Sequence, residues 1–159
     1  MSRELTLDTA GDTWAWGTRL GKLLQAGDLL VLTGDLGAGK TTLTQGIAEG
    51  LGVRGPITSP TFVIARVHPS LVGGPALVHV DAYRLGGFAE LDDLDLDTSL
   101  EDSVTVVEWG HGLAEGLSED HLEITLTGTD RRTVAVHGHG PRWTGRPGAD
   151  ELGCLLSLA

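Results

Sequence analysis

Cysteine, asparagine and lysine are rare or absent in this 159-residue chain, and long apolar runs are missing too. Cys154 is the single cysteine, so an internal disulfide is excluded and nothing points to an oxidising compartment. No apolar run approaches the roughly 20 residues that a membrane-spanning helix requires. The first residues lack the basic-then-apolar order of a secretory signal. We therefore expect a cytoplasmic protein with no membrane association.

Positive charge is also scarce. The chain has 11 basic and 22 acidic residues, which gives a formal net charge of −11. Residues 85–130 contain no Lys or Arg, although 13 of the 22 acidic residues lie there. Proteins that grip nucleic acid need basic side chains to displace counterions, so we expect no strong direct nucleic-acid binding. The acidic stretch suits either a basic protein partner or a solvated surface.

The remaining composition predicts one globular domain, because apolar residues make up 40% of the chain. Short apolar runs alternate with helical periodicity, which is typical of an α/β fold with a mostly parallel sheet. The predicted helices are 9–24 and 40–51. The predicted strands are 4–8, 29–32, 61–67, 76–80 and 104–107, with an antiparallel hairpin of 122–127 and 133–137. We expect residues 139–159, which are rich in Gly and Pro near their start, to form a loosely ordered tail after the domain of residues 1–138.

Residues Gly34 to Thr41 read GDLGAGKT and match the pattern G-x-x-x-x-G-K-[ST] in full. The flanks fit as well, since an apolar strand precedes the motif and a helix follows it. Such a loop turns successive backbone N–H groups toward phosphate oxygens, and the helix that begins there adds positive charge. The predicted nucleotide-binding residues are Asp35, Leu36, Gly37, Ala38, Gly39, Lys40, Thr41 and Thr42.

The missing asparagine bears on the choice of base. GTPases of the Ras type read guanine with an N-K-x-D motif, which a chain without asparagine cannot contain. The predicted nucleotide is therefore ATP. The expected fold is a P-loop NTPase-like three-layer sandwich that ends in the antiparallel hairpin.

Two acidic residues come at the ends of predicted strands, Asp81 and Glu108. Parallel strands present their carboxyl ends to the ligand crevice, so either carboxylate could help to hold Mg²⁺ beside the phosphates. Ser59 and Thr61 follow the phosphate loop by about twenty residues, where hydroxyl groups could sense a γ-phosphate. An ordinary Ser-Pro turn is the alternative for that segment.

Four motifs in this order resemble the TsaE (YjeE) family: GDLGAGKTT at 34–42, TSPTF at 58–62, HVDAYRL at 79–85 and VVEWG at 106–110. The resemblance covers about residues 5–137. Members of this family are small ATPases of bacterial tRNA N6-threonylcarbamoyladenosine (t6A) formation. The resemblance implies a weak Mg²⁺-dependent ATPase that is stimulated by its partners TsaB and TsaD and resets their complex between turnovers.

The same resemblance implies roles for individual residues. Thr41 and Glu108 correspond to the Mg²⁺ ligands, and Asp81 corresponds to the acid that positions or activates the attacking water. The residues implied in switching and partner contact are Ser59, Thr61, Tyr83, Arg84 and Trp109. The residues implied in adenine binding are Thr9, Thr13 and Arg131 (or its neighbour Arg132). The chain departs from the family where Gly110 stands in place of a frequent proline.

A small-molecule kinase of the P-loop class is the alternative function, because short kinases share the phosphate loop. Kinases use Arg side chains in a lid to stabilise the transferred phosphoryl group. The absence of Lys and Arg from residues 85–130 argues against this alternative.

Overall fold

The computed structural model describes residues 2–34, 39–53, 55, 65–81, 102–108, 120–128, 131–145 and 148–156. Within these ranges, no helix is long and apolar enough to cross a membrane. The described helices and strands form one α/β body, and its core is built from side chains of both kinds of element.

Seven strands form one sheet in the order β1-β7-β6-β2-β5-β4-β3. Their bounds are β1 Ser2–Leu7, β2 Leu29–Gly34, β3 Ala65–His68, β4 Ala76–Asp81, β5 Ser103–Glu108, β6 His121–Thr127 and β7 Arg132–His139. The central strands β6, β2, β5 and β4 run parallel to one another. Strands β7, β1 and β3 pair antiparallel with their neighbours. The predicted parallel centre and C-terminal hairpin are therefore confirmed.

Four helices are described: α1 Ala10–Leu23, α2 Lys40–Leu51, α3 Pro141–Thr144 and α4 Gly148–Leu156. Thr9 caps α1, because its hydroxyl accepts from the Asp12 backbone N–H at 3.0 Å. Gly52 ends α2 with φ of 73°, a left-handed conformation that glycine adopts without strain. Both helices were predicted from the sequence within a residue or so of these bounds.

Both faces of the central strands are buried. On one face, Leu30, Leu32 and Val106 belong to the core cluster with apolar residues of all four described helices. On the other face, Val31 and Val107 are also fully buried. A strand that is buried on both faces needs a continuous apolar run, and Leu29–Leu32 is such a run. Burial on both faces is what a three-layer arrangement requires.

Helices α1 and α2 approach each other through glycines. A Cβ placed on Gly46 would lie 2.2 Å from the Trp14 carbonyl oxygen, and one on Gly21 would lie 2.4 Å from the Ile47 carbonyl oxygen. Real Cβ atoms do not come this close to backbone, so both positions require glycine. The contact fixes α1 against the helix that begins at the phosphate loop.

The C-terminal segment differs from the loose tail that the sequence suggested. Strand β7 continues to His139, and helices α3 and α4 follow directly. Trp143 is fully buried, and Leu152 and Leu155 join the same core cluster. These large apolar side chains bury enough surface to hold the segment on the sheet, although Gly and Pro dominate its composition at residues 138–148.

Candidate functional site

The segment predicted to be a phosphate loop connects β2 to α2. Strand β2 ends at Gly34 and α2 begins at Lys40. Gly39, the residue before the helix, has φ of 101° and gives the helix no side-chain cap. The first N–H groups of α2 are thus left without a capping side chain, and such a helix terminus favours an anion.

Lys40 is folded against the start of this loop. Its Nζ donates to the Gly34 carbonyl oxygen at 2.5 Å, and the residue is buried. Thr44 secures the same turn of α2, since its hydroxyl donates to the Lys40 carbonyl oxygen at 2.8 Å. The Lys40 side chain therefore connects the first turn of α2 to the end of β2. A lysine at this motif position is the one expected to reach the β- and γ-phosphates.

Glu108 ends β5, next to the carboxyl end of β2. Its Cα pairs with that of Leu32, two residues before Gly34, so the carboxylate belongs to the same sheet edge. Glu108 is only 4% exposed, and its Oε2 lies 2.6 Å from His79 Nε2, within hydrogen-bond distance. His79 lies on the neighbouring strand β4 and is fully buried.

Asp81 ends β4, and its Cα is the register partner of Glu108. The two acidic positions singled out from the sequence are therefore neighbours in the sheet. Glu108 and Asp81 reach this edge because β4 and β5 run parallel and end at the same level.

The predicted adenine-binding residues are divided by the structure. Arg131 forms an exposed ion pair with Asp8 at 2.9 Å. Arg132 instead packs on the phosphate loop: its Nε lies 3.2 Å from the position of a Cβ on Gly39. Thr13 is buried on the same side, with its Cγ2 4.0 Å from that position. Arg131 and Arg132 are adjacent in the sequence, but their side chains have different environments: Arg131 is exposed, and Arg132 packs against Gly39.

Arg132 also supplies a test of whether an anion fits here. Its Nη1 is buried and has no hydrogen-bond partner among the described residues. A buried guanidinium N–H without an acceptor is costly, and a phosphate oxygen would satisfy it. For Mg²⁺, the Glu108 carboxylate and the Thr41 hydroxyl in the first turn of α2 are the hard oxygen donors that this ion prefers. The residues present fit both groups.

Several predicted site residues lie outside the described residues: Asp35, Leu36, Gly37, Ala38, Ser59, Thr61, Tyr83, Arg84 and Trp109. Their roles stay predictions. Thr42 lies within α2, and Thr9 caps α1. His79 was absent from the predicted set, although it lies in the predicted strand that leads to Asp81. Nothing in the sequence indicates that His79 meets a residue 29 positions later.

A mostly parallel sheet with a glycine-rich loop between β2 and α2 defines an α/β protein of the P-loop-like class. The family model for threonylcarbamoyl adenosine biosynthesis protein TsaE matches residues 7–134. The chain belongs to the TsaE family.

Curated relatives support this assignment. Over 134 residues the chain is 64% identical to the tRNA threonylcarbamoyladenosine biosynthesis protein TsaE of Streptomyces coelicolor, covering 80% of this chain and 90% of that one. The protein of the same name from Bacillus subtilis is 42% identical over 120 residues, which cover 74% and 73% of the two chains.

A solved structure agrees with the fold. The crystal structure of Bacillus subtilis YdiB superposes with a TM-score of 0.74 at 30% identity and covers 98% of this chain and 94% of that chain. This coverage includes helices α3 and α4, so the C-terminal segment belongs to the shared fold.

Proposed function

We propose that this chain is the Mg²⁺-dependent ATPase that acts with TsaB and TsaD in t6A formation on tRNA. The observation that carries the proposal is that three groups lie at the same edge of the sheet. These are the start of α2, which has no side-chain cap, the Arg132 guanidinium against Gly39, and the buried Glu108 carboxylate. Family membership and the names of the relatives supply the pathway.

In this proposal, the chain's own groups bind and orient the triphosphate. The backbone N–H groups at the start of α2 and the Lys40 ammonium bind the β- and γ-phosphates. Arg132 donates to a phosphate or to the sugar from the β7 side. Thr41 and Glu108 would hold Mg²⁺, which neutralises charge that develops on the phosphate oxygens. Asp81 accepts a proton from, or orients, the attacking water.

Charge and the family support the proposed partners. The chain is strongly acidic, so we expect no strong direct binding to tRNA. TsaB and TsaD supply the contact with tRNA, and this chain supplies a nucleotide-driven step. The predicted switch residues Ser59 and Thr61, with Tyr83, Arg84 and Trp109, would report the state of the nucleotide to these proteins.

The experiment measures phosphate release from ATP by the chain alone, with TsaB and TsaD added, and by Lys40→Ala under both conditions. We expect slow release alone, faster release with both partners, and loss of both in the variant. The variant should stay folded, because it leaves the apolar core intact. Release that TsaB and TsaD leave unchanged would contradict the proposed partnership, and a phosphorylated small-molecule acceptor would favour the kinase alternative.

A further inference from the structure

The buried contact between His79 and Glu108 joins two strands at the centre of the site. His79 is fully buried, and its Nε2 lies 2.6 Å from Glu108 Oε2. A carboxylate can only accept hydrogen bonds, so the Nε2 carries the proton and donates. Short bonds of this type to a charged acceptor are stronger than neutral ones.

The bond gives the two carboxylate oxygens of Glu108 different roles. Oε2 is committed to His79, whereas Oε1 makes no hydrogen bond within the described part of the chain. A glutamate side chain has three rotatable bonds, and a single fixed oxygen removes most of that freedom. The bond to His79 therefore holds the carboxylate in one orientation and leaves Oε1 for another partner.

The other ring nitrogen of His79 gives an independent sign of function. Nδ1 is buried and has no hydrogen-bond partner in the ranges described. An apolar residue of similar size would fill the same space without leaving a buried polar atom unsatisfied. Within the described residues, the bond to Glu108 is therefore the hydrogen bond that the His79 side chain makes.

We propose that His79 is a positioning residue of the ATPase: its Nε2–H holds the Glu108 carboxylate in the orientation that receives Mg²⁺. This inference rests on the proposed function, because it assigns Glu108 to the metal. A residue that orients a metal ligand is expected to change metal affinity by about 10- to 100-fold when it is lost. His79 would therefore act on the metal dependence of ATP binding.

The experiment titrates Mg²⁺ at fixed ATP and measures ATP binding by calorimetry for the parent, His79→Leu and His79→Gln. A control variant, His68→Leu, removes another buried histidine on the neighbouring strand β3. We expect His79→Leu to raise the half-saturating Mg²⁺ concentration about 10-fold or more, with ATP affinity in EDTA unchanged. His79→Gln keeps an N–H donor and should restore the parent midpoint, and His68→Leu should not shift it.

A second measurement covers the case in which His79→Leu does not fold. Nitrogen-15 spectra of the parent should show the His79 ring protonated on Nε2, and adding Mg²⁺ to the ATP complex should shift its signals. Glu108→Gln should abolish that shift. A ring protonated on Nδ1 alone would overturn the inference.

The outcomes separate this inference from the proposed function. If the parent responds to Mg²⁺ and His79→Leu responds identically, the inference is wrong and the proposed function stands. If His79→Gln is as impaired as His79→Leu while both bind ATP normally in EDTA, the donated hydrogen bond is not the cause. If ATP binding by the parent ignores Mg²⁺, the metal assignment fails together with the inference.

Discussion

Arg142 and Asp28 form an ion pair across 114 positions of the chain. Arg142 Nε donates to Asp28 Oδ1 at 3.1 Å, and Nη2 donates to Oδ2 at 3.3 Å. The same Nη2 also donates to the Leu23 carbonyl oxygen at 3.2 Å, at the end of α1. The pair therefore ties the start of the C-terminal helices to the turn that leads into β2.

Breaking this pair should destabilise the protein strongly. The Asp28 side chain is 5% exposed. Arg142→Met would leave its charge buried, with the Gln25 backbone N–H at 2.7 Å as the remaining hydrogen-bond donor among the described residues. Loss of one partner of a buried pair costs roughly 3–5 kcal/mol. Because one hydrogen bond to Asp28 remains, we expect the free energy of unfolding to fall by about 3 kcal/mol. The measurement is the free energy of unfolding from denaturant titration.

Arg131→Met is the matched control for that variant. Arg131 pairs with Asp8, but both side chains are more than 60% exposed. Exposed pairs contribute about 0–1 kcal/mol, so we expect little change. Equal losses in the two variants would show that the Arg142 pair adds nothing beyond a surface contact.

The contact between α1 and α2 predicts a glycine that cannot be replaced. Gly46→Ala puts a methyl group 2.2 Å from the Trp14 carbonyl oxygen, so a helix must move. We expect a loss of about 1–3 kcal/mol in the free energy of unfolding. Gly153→Ala in α4 meets nothing within 4 Å and should gain about 0.5–1 kcal/mol from helix propensity. Similar effects at both positions would contradict the close helix contact.

Three histidine rings on β6 and β7 predict a pH dependence of stability. His137 stacks on His139 with ring centroids 4.2 Å apart, and His139 stacks on His121 at 4.4 Å. Partial burial and the charges of His139 and His121 lower the pKa of His137 below its usual 6.5, and Glu123 opposes this in part. The unfolded chain then binds a proton at a higher pH than the folded chain does. Stability is therefore full above about pH 6.5 and falls as the pH drops toward the lowered pKa.

His137→Gln tests that dependence. We expect its melting temperature to fall less than that of the parent between about pH 7 and pH 5.5, since one unfavourable protonation is removed. His139→Gln should also flatten the curve, because it removes the neighbour that repels the second charge. Parallel melting curves for parent and variants across this range would refute the role of the stack.

Local sequence patterns predicted most of the elements but few of the contacts between them. The Thr9 cap and the Gly52 stop delimit α1 and α2 because capping is decided by neighbouring residues. The β6–β7 hairpin was likewise predicted from local pattern, and Gly128, which follows β6, has φ of 98°. Strand order, by contrast, depends on long-range pairing. The His79–Glu108 bond and the Arg142–Asp28 pair follow from that order, so periodicity alone could not find them.

The separate environments of Arg132 and Arg131 give the last prediction, which concerns the nucleotide site. Arg132 lies against Gly39 with a buried Nη1 that lacks a partner among the described residues, while Arg131 is 73% exposed and paired with Asp8. A hydrogen bond to a charged group contributes about 1.5–3 kcal/mol. We therefore expect Arg132→Met to weaken ATP binding by about 10-fold or more, since about 1.4 kcal/mol corresponds to a factor of ten. Arg131→Met should leave ATP affinity unchanged.

Calorimetric titration of both variants with ATP and Mg²⁺ measures this, and a thermal shift assay shows whether each variant is folded. If a folded Arg132→Met binds ATP like the parent while Arg131→Met loses affinity, the prediction is wrong. Arg131, and not Arg132, would then contact the nucleotide.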